Sequence, residues 1–355
     1  MKRSSPRSTV WILPIVMALA VLPVLSSSHT AKQNPPVKMG TSGGSSADIS
    51  RLYCCAGTLG SVVLYDGRLS ILSNNHVLAR SGLARAGEST VQPGLIDNGC
   101  SASGLNVVGT FPGDLVPLGH NVDAAISTAI SGKVDATGAI LDIGVPCSTV
   151  QAPTVNLAVS KSGRTTGTTN GTIEAINSTV TVQYQKGCGT GKLFTKTYTN
   201  QITISGNNFS AGGDSGSLII SNDGTPNPVG LLFAGNSTTT IANPASAVVS
   251  AFQSGGHTFT FVGSACPGAA FEERPLNPPD AEIEYVTRIK ESNEAVLFAH
   301  PGVIGVGVGQ SDDDPLRAVM VVYVQSAGHM RPHGLPSEID GIPVKIVLTE
   351  PFVAF

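Results

Sequence analysis

One serine in this sequence has neighbours that could make it a nucleophile. Ser215 lies in Gly212-Gly-Asp-Ser-Gly-Ser217, which is followed by the apolar run Leu218-Ile-Ile. A serine hydroxyl attacks a carbonyl carbon well only when an adjacent base accepts its proton. Glycines permit backbone conformations closed to other residues, so the main-chain N–H groups of Gly213 and Ser215 could converge on the oxyanion of a tetrahedral intermediate. The segment therefore predicts acyl-transfer chemistry at Ser215.

A base and an acid for this serine occur earlier in the chain. His76, one of seven histidines, follows a strand-like run in Leu72-Ser-Asn-Asn-His-Val-Leu78. Asp123 opens an apolar run and could accept a hydrogen bond from the second ring nitrogen of the histidine. The chain order is His, Asp, Ser, with gaps of 47 and 92 residues. We predict that His76 is the base and Asp123 the orienting acid.

Other chemistry fits the sequence less well. An α/β-hydrolase needs Gly-x-Ser-x-Gly and the order Ser, Asp, His, whereas position 217 is serine. Pro332 separates His329 from His333 and prevents a helical metal pair. We interpret Asp312–Asp314 as a solvated turn, and we predict neither a metal nor a cofactor.

Composition and charge limit the class of protein. Charged residues make up 13% of the chain and glycines number 41, a bias towards turns and short strands. The formal net charge is −3: residues 1–47 carry +5, residues 48–262 carry −1 and residues 271–355 carry −7. Because the sequence has no basic stripe that could bind a phosphate backbone, we expect no nucleic-acid partner.

The N-terminus has the pattern of an export signal. Basic residues (Lys2, Arg3, Arg7) precede the uncharged apolar run Val10–Leu25, and small polar residues follow. The run holds two prolines and is shorter than the ~20 residues that a membrane span needs. We predict a signal peptide over 1–31, a flexible spacer over 32–47 and a secreted or periplasmic protein, in preference to a membrane-anchored form.

Six cysteines accord with an oxidising compartment: Cys54, Cys55, Cys100, Cys147, Cys188 and Cys266. They allow fifteen pairings, among which the sequence does not choose. Neighbouring Cys54 and Cys55 would point to opposite faces of a strand, so we expect them to have different partners.

The chain divides at a proline-rich segment. From about residue 50 to 262, short apolar runs alternate with turn residues, a pattern typical of a β-barrel or sandwich. Four prolines cluster in a linker over 267–280. Beyond it, a helical pattern over Ala281–Phe298 is followed by three strand-like runs. We predict an all-β domain over 48–266 and a small α+β domain over 281–355.

Several separated motifs resemble those of the chymotrypsin-like (trypsin-fold) serine peptidases. They are the His–Asp–Ser order with its gaps and the Gly-Asp-Ser-Gly core. The segment Lys161-Ser-Gly-Arg-Thr-Thr-Gly-Thr-Thr-Asn-Gly-Thr-Ile173 is similar to the strand pair that opens the second barrel in the bacterial α-lytic and streptogrisin-like branch. The resemblance covers roughly 50–262 and implies a two-barrel (chymotrypsin-like) fold and serine endopeptidase activity.

The resemblance also implies roles for single residues. Arg164 would pair with buried Asp214 and shape the oxyanion loop. The run Val229–Gly235 would supply a wall of the substrate cleft through Phe233, Ala234 and Gly235, and Phe209 would form the pocket floor. Because no Asp lies at the floor of this pocket, we do not expect selectivity for Lys or Arg. We expect a shallow pocket that favours small or apolar side chains.

Two departures from the family pattern bear on the triad. Asn74-Asn-His-Val77 lacks the family's cysteine after the histidine, and Phe233 stands where the family often has a serine that supports the aspartate. The sequence therefore supports a secreted endopeptidase acting on protein or peptide substrates. The alternative is a catalytically weak or inactive protease-like scaffold with a partner-docking C-terminal domain. In either case the C-terminal domain could regulate the site intramolecularly.

Overall fold

A computed structural model describes residues 28–113, 116, 118, 120–206, 208–266, 276–325 and 334–355. Most of the signal peptide predicted over 1–31 lies outside these residues, as does most of the predicted linker. The described part is predominantly β, with two curled sheets and few helices. The helices are α1 (Asn75–Leu78), α2 (Ala245–Gln253) and α3 (Asp280–Ala299), besides two 3₁₀ turns (Arg80–Gly82, Leu95–Asn98).

The first sheet has eight strands: β1 (Thr41–Ser45), β2 (Gly57–Leu59), β3 (Ser61–Tyr65), β4 (Arg68–Ser73), β5 (Ser89–Gln92), β6 (Asn106–Thr110), β7 (Ala125–Ala129) and β14 (Phe259–Phe261). Their order is β14-β3-β4-β7-β6-β5-β1-β2. Buried aliphatic residues such as Val62, Ile71 and Ile126 form its core. His76 follows β4 in α1, and Asp123 lies two residues before β7. Because Ser73 at the end of β4 pairs with Ala125 at the start of β7, the two predicted triad residues lie at the same end of this strand pair.

The second sheet has eleven strands: β8 (Ala158–Gly163), β9 (Gly167–Gln185), β10 (Leu193–Ser205), β11 (Leu218–Ser221), β12 (Pro228–Gly235), β13 (Thr239–Pro244), β15 (Val303–Gln310), β16 (Ala318–Gln325), β17 (Glu338–Ile339), β18 (Ile342–Thr349) and β19 (Phe352–Ala354). Strands β10-β13-β12-β11-β8-β9 are paired in this order, and β10 also pairs with β9, so six strands close into a ring. This ring and the first sheet are the two barrels that the sequence predicts.

The segment predicted as a spacer is instead part of the first barrel. β1 pairs with β2 and β5, and all five of its residues are buried. Its Gly and Ser content indicated flexibility, but here small residues permit close packing, because a Cβ on Gly43 would collide with the side chain of Leu59. Val37 and Met39 are also completely buried.

The C-terminal α+β segment has the predicted helix and strands. Asp280 and Glu282 in the first turn of α3 suit the positive end of the helix dipole, and Val286 and Leu297 pack in one apolar cluster with β15 and β16. The segment extends the second sheet, because β15 pairs with β9 and β19 pairs with both β9 and β12. In the described residues, no helix is both long and apolar enough to span a membrane.

Three disulfides join Cys54 to Cys100, Cys55 to Cys188 and Cys147 to Cys266. Cys54 and Cys55 therefore have different partners, as predicted. The Cys55–Cys188 bridge ties the first barrel to the tip of the β9–β10 hairpin. Both cysteines of this bridge line a cavity that His76 also lines.

Candidate active site

His76 and Asp123 are brought together as predicted. α1 places the imidazole so that its Nδ1 lies 2.7 Å from Asp123 Oδ2. The other carboxylate oxygen accepts the main-chain N–H of Asn75 at 2.8 Å and that of His76 at 3.3 Å. Asp123 is completely buried and the His76 side chain is 11% exposed. The aspartate thus fixes both the backbone and the ring of the histidine, and it leaves Nε2 available for chemistry.

Tyr184, which sequence reasoning missed, supports the aspartate. Its hydroxyl donates to Asp123 Oδ2 at 2.8 Å and lies 2.8 Å from the hydroxyl of Tyr198. Burial, followed by the nearby Asp123 charge, raises the pKa of Tyr184 well above its usual value, so the phenol stays protonated and can donate. Phe233, which stands where the resemblance implied a supporting serine, has its ring packed edge-on against Tyr198 with centroids 5.0 Å apart. The support therefore comes from a different strand, β9.

Ser215 lies on a turn shaped by glycines. Gly213 and Gly216 have φ values of +99° and +95°, a region that favours glycine. The main-chain oxygen of Ser215 accepts from Thr58 N at 2.8 Å, which anchors the turn to the first barrel. The Ser215 hydroxyl donates to the main-chain oxygen of Phe233 at 3.1 Å. In this state β12 holds the hydroxyl, while Nε2 of His76 lies 2.9 Å from the main-chain oxygen of Phe355.

The partner predicted for Asp214 is wrong. Lys161 Nζ lies 3.5 Å from Asp214 Oδ2, and both side chains are completely buried. Arg164 instead forms a two-pronged ion pair with Asp97, with Nε–Oδ2 at 2.6 Å and Nη2–Oδ1 at 2.7 Å. The reason is geometric: Lys161 lies within β8, whereas Arg164 follows the last residue of that strand, Gly163, and turns away.

The Asp214 carboxylate also organises the loop around it. It accepts the main-chain N–H groups of Thr165 (2.8 Å), Thr166 (3.2 Å) and Ala211 (3.0 Å), and the hydroxyl of Thr166 (2.7 Å). Arg164 is linked to Gly213 through Thr58, because its main-chain N–H donates to Thr58 Oγ1, which donates to the oxygen of Gly213. These hydrogen bonds fix the turn that contains Gly213 and Ser215, and preorganised donors are what an oxyanion site would require.

A cavity of about 350 Å³ opens beside His76. Its lining includes Arg164, Gly212, Gly213, Tyr184 and Phe355. The predicted substrate-binding residues Phe209, Phe233, Ala234 and Gly235 are not among the residues that line it. Ala234 and Gly235 lie at the end of β12, where they pair with β19, and Phe209 is buried in the apolar cluster against which Phe355 packs.

Two groups at the cavity have shifted pKa values. Burial lowers the pKa of His76, but the charge and hydrogen bond of Asp123 and the Phe355 oxygen outweigh it, so the net shift is upward. Burial raises the pKa of Asp48 to about 6, with Arg80 and His76 opposing the shift. The upward shift of His76 favours its protonated form, and Asp48 titrates close enough to neutral pH to affect the charge at the cavity.

The chain is similar in fold to solved chymotrypsin-like proteases. A serine protease specific for glutamic acid that uses a histidine triad in substrate binding is 23% identical; it covers 63% of this chain and 100% of its own, with a TM-score of 0.43. Cellulomonas bogoriensis chymotrypsin is 22% identical, covering 64% and 99%, with a TM-score of 0.40. The α-lytic protease homolog N4 is 19% identical, covering 63% and 98%, with a TM-score of 0.41. No family model and no curated protein matches the chain.

Proposed function

We propose that the protein is a serine endopeptidase that hydrolyses peptide bonds through an acyl-enzyme. The observation that carries the proposal is the buried Tyr184–Asp123–His76 chain of hydrogen bonds, which ends at Nε2 in a cavity that Gly212 and Gly213 of the Ser215 turn also line. A carboxylate that is buried and held by several donors has the arrangement needed to orient an imidazole and stabilise its charged form. An oxyanion loop fixed by Asp214 accompanies it.

The reaction follows from these positions. When a substrate carbonyl enters the cleft, Ser215 Oγ leaves the Phe233 oxygen and attacks the carbonyl carbon, while its proton passes to His76 Nε2. The N–H groups of Gly213 and Ser215 would hold the oxyanion. Collapse breaks the C–N bond as the imidazolium protonates the leaving amine. Water, deprotonated by the same imidazole, then attacks the ester carbon. The bond from that carbon to Ser215 Oγ breaks as the imidazolium returns its proton to Oγ, and the acid leaves.

Labelling by a fluorophosphonate tests the proposal. We expect the 355-residue chain to be labelled at Ser215, and Ser215→Ala and His76→Ala to lose labelling while remaining folded by circular dichroism. His257→Ala is a matched control, since that histidine pairs with Asp66 on the surface. A folded parent protein that never labels would favour the protease-like scaffold instead.

Labelling should depend on pH in a defined direction. The imidazole accepts a proton only when neutral, and its pKa lies above the usual histidine value of about 6.5. We therefore expect the labelling rate to fall as the pH drops through a midpoint above this value, measured between about pH 5 and 9. Because Asp48 also titrates near the site, Asp48→Asn should change the shape of the acid limb without abolishing labelling. A rate independent of pH would contradict the role of His76.

The compartment is part of the proposal. Three disulfides accord with an oxidising environment, and the N-terminal sequence has the composition of an export signal. We infer that the enzyme acts outside the cytoplasm on proteins or peptides, and that the C-terminal segment regulates the site.

A further inference from the structure

The cleft between the barrels already contains a peptide, which is part of this chain. β19 runs antiparallel to the end of β12, with Ala354 opposite Ala234 and Val353 opposite Gly235. On its other side it runs parallel to β9, with Phe352 opposite Val182. An extended peptide that adds to a sheet edge is held through main-chain hydrogen bonds, while its alternate side chains fill pockets.

The segment ends at the catalytic groups. The main-chain oxygen of Phe355 lies 2.9 Å from His76 Nε2. The Phe355 ring lies against Gly235, where a Cβ would come within 3.0 Å of its Cζ, and it packs against the buried cluster that contains Phe209. The sequence predicted that Phe209, Phe233, Ala234 and Gly235 bind substrate. Residues 353 and 354 pair with Gly235 and Ala234, and Phe355 packs against the cluster that contains Phe209.

From these contacts we propose that residues 352–355 occupy the acyl side of the cleft in the manner of a bound substrate. Phe355 then takes the place of the residue before the scissile bond. The inference rests on the proposed endopeptidase function and names its substrate class: peptides with an aromatic side chain at that position. It also makes the segment a competitor of substrate, tethered within its own molecule.

The chemistry of the pocket favours an uncharged ring. Phe209 is buried among Ile173, Ile204 and other aliphatic residues. The charged group near it, Lys161, has its Nζ 6.0 Å from the Phe209 ring centroid but is completely buried and paired with Asp214. An acidic substrate side chain would have to compete with Asp214 for Lys161. A basic substrate side chain would lie near Lys161, a cation that is already paired. Burying either charge without a partner is costly.

The tether keeps the competitor close. Phe352 is 1% exposed and packs edge-on against Tyr323, with ring centroids 5.7 Å apart. Asn236 adds a second attachment, because its side-chain amide donates to the main-chain oxygen of Glu350 at 2.8 Å. A short tether gives an effective concentration on the order of millimolar, so even a weakly binding tetrapeptide would exclude substrate for much of the time.

Shortening the chain at its end tests the inference. We would compare the full 355-residue protein with a variant lacking Ala354 and Phe355, which keeps the Phe352 anchor, and with Phe355→Ala. Val353→Ala is the matched control, because the Val353 side chain is 38% exposed. The readouts are the fluorophosphonate labelling rate and kcat/KM on fluorogenic peptides with Val-Ala-Phe, Val-Ala-Glu or Val-Ala-Lys before the cleaved bond.

The shortened variant should gain at least about tenfold in labelling rate, given the effective concentration of the tether. Phe355→Ala should show a smaller gain and Val353→Ala none. Cleavage should be fastest after phenylalanine, and the free peptide Phe-Val-Ala-Phe should inhibit the shortened variant competitively, at least about tenfold better than Phe-Val-Ala-Gly. Equal labelling of full and shortened chains, or faster cleavage after Glu or Lys, would overturn the inference. Absence of labelling in all folded variants would instead refute the proposed function.

Discussion

Lys161→Met is expected to lower the free energy of unfolding by about 3–5 kcal/mol, the usual cost of leaving a buried charge without its partner. Lys161 and Asp214 are both completely buried. Burial lowers the pKa of Lys161 even though the Asp214 carboxylate opposes the shift. Burying this ion pair therefore costs free energy, and removing one of its partners costs more. The same change should slow labelling of Ser215, because Asp214 holds the loop that contains the oxyanion donors.

Denaturant unfolding and labelling rates, measured on the same samples, check this prediction. Lys345→Met is the matched control: it removes a lysine paired with Asp312 at the surface, with side chains 32% and 74% exposed, and exposed pairs contribute at most about 1 kcal/mol. The loss of unfolding free energy in Arg164→Met should lie between those of Lys161→Met and Lys345→Met, since the pair of Arg164 with Asp97 is partly exposed. If Arg164→Met destabilised the protein more than Lys161→Met, the assignment of Lys161 as the partner of Asp214 would be wrong.

The difference between these two cations shows where sequence reasoning ends. Lys161 and Arg164 lie three residues apart in one motif, so residues at these positions would point to opposite faces of a continuous strand. The motif does not tell which of them faces the nucleophile turn. The structure places Lys161 inside β8, with its side chain in the core, whereas Arg164 follows the strand and reaches Asp97.

The residues of the proposed triad can be picked out in the sequence for a related reason. His76, Asp123 and Ser215 each occur in a short segment with its own pattern: the end of an apolar strand, the start of another, and a glycine-rich turn. Tyr184 and Phe355 have no such pattern. Their roles depend on where β9 and β19 cross the cleft, which is set by pairing between strands far apart in the chain. The incorrect prediction of a spacer over 32–47 has the same cause. The burial of β1 depends on its pairing with β2 and β5, which its own sequence does not reveal.

Tyr184→Phe is expected to reduce the labelling rate and kcat/KM by roughly 10- to 100-fold. The change removes a hydrogen bond of 2.8 Å to the buried Asp123 carboxylate, and a bond to a charged group contributes about 1.5–3 kcal/mol, where each 1.4 kcal/mol is a factor of ten in rate. Tyr198→Phe is the matched control, because its hydroxyl contacts that of Tyr184 and it should cost less activity for a comparable loss of stability.

The pH profile separates a positioning role for Tyr184 from a merely structural one. Without the phenol, the negative charge of Asp123 is shared with fewer donors and interacts more strongly with protonated His76. The pKa of His76, already raised by Asp123, should therefore rise further, and the acid limb of the labelling rate should move to higher pH in Tyr184→Phe but not in Tyr198→Phe. An unchanged acid limb together with a lower melting temperature would mean that Tyr184 only fills space in the core between β9 and the triad.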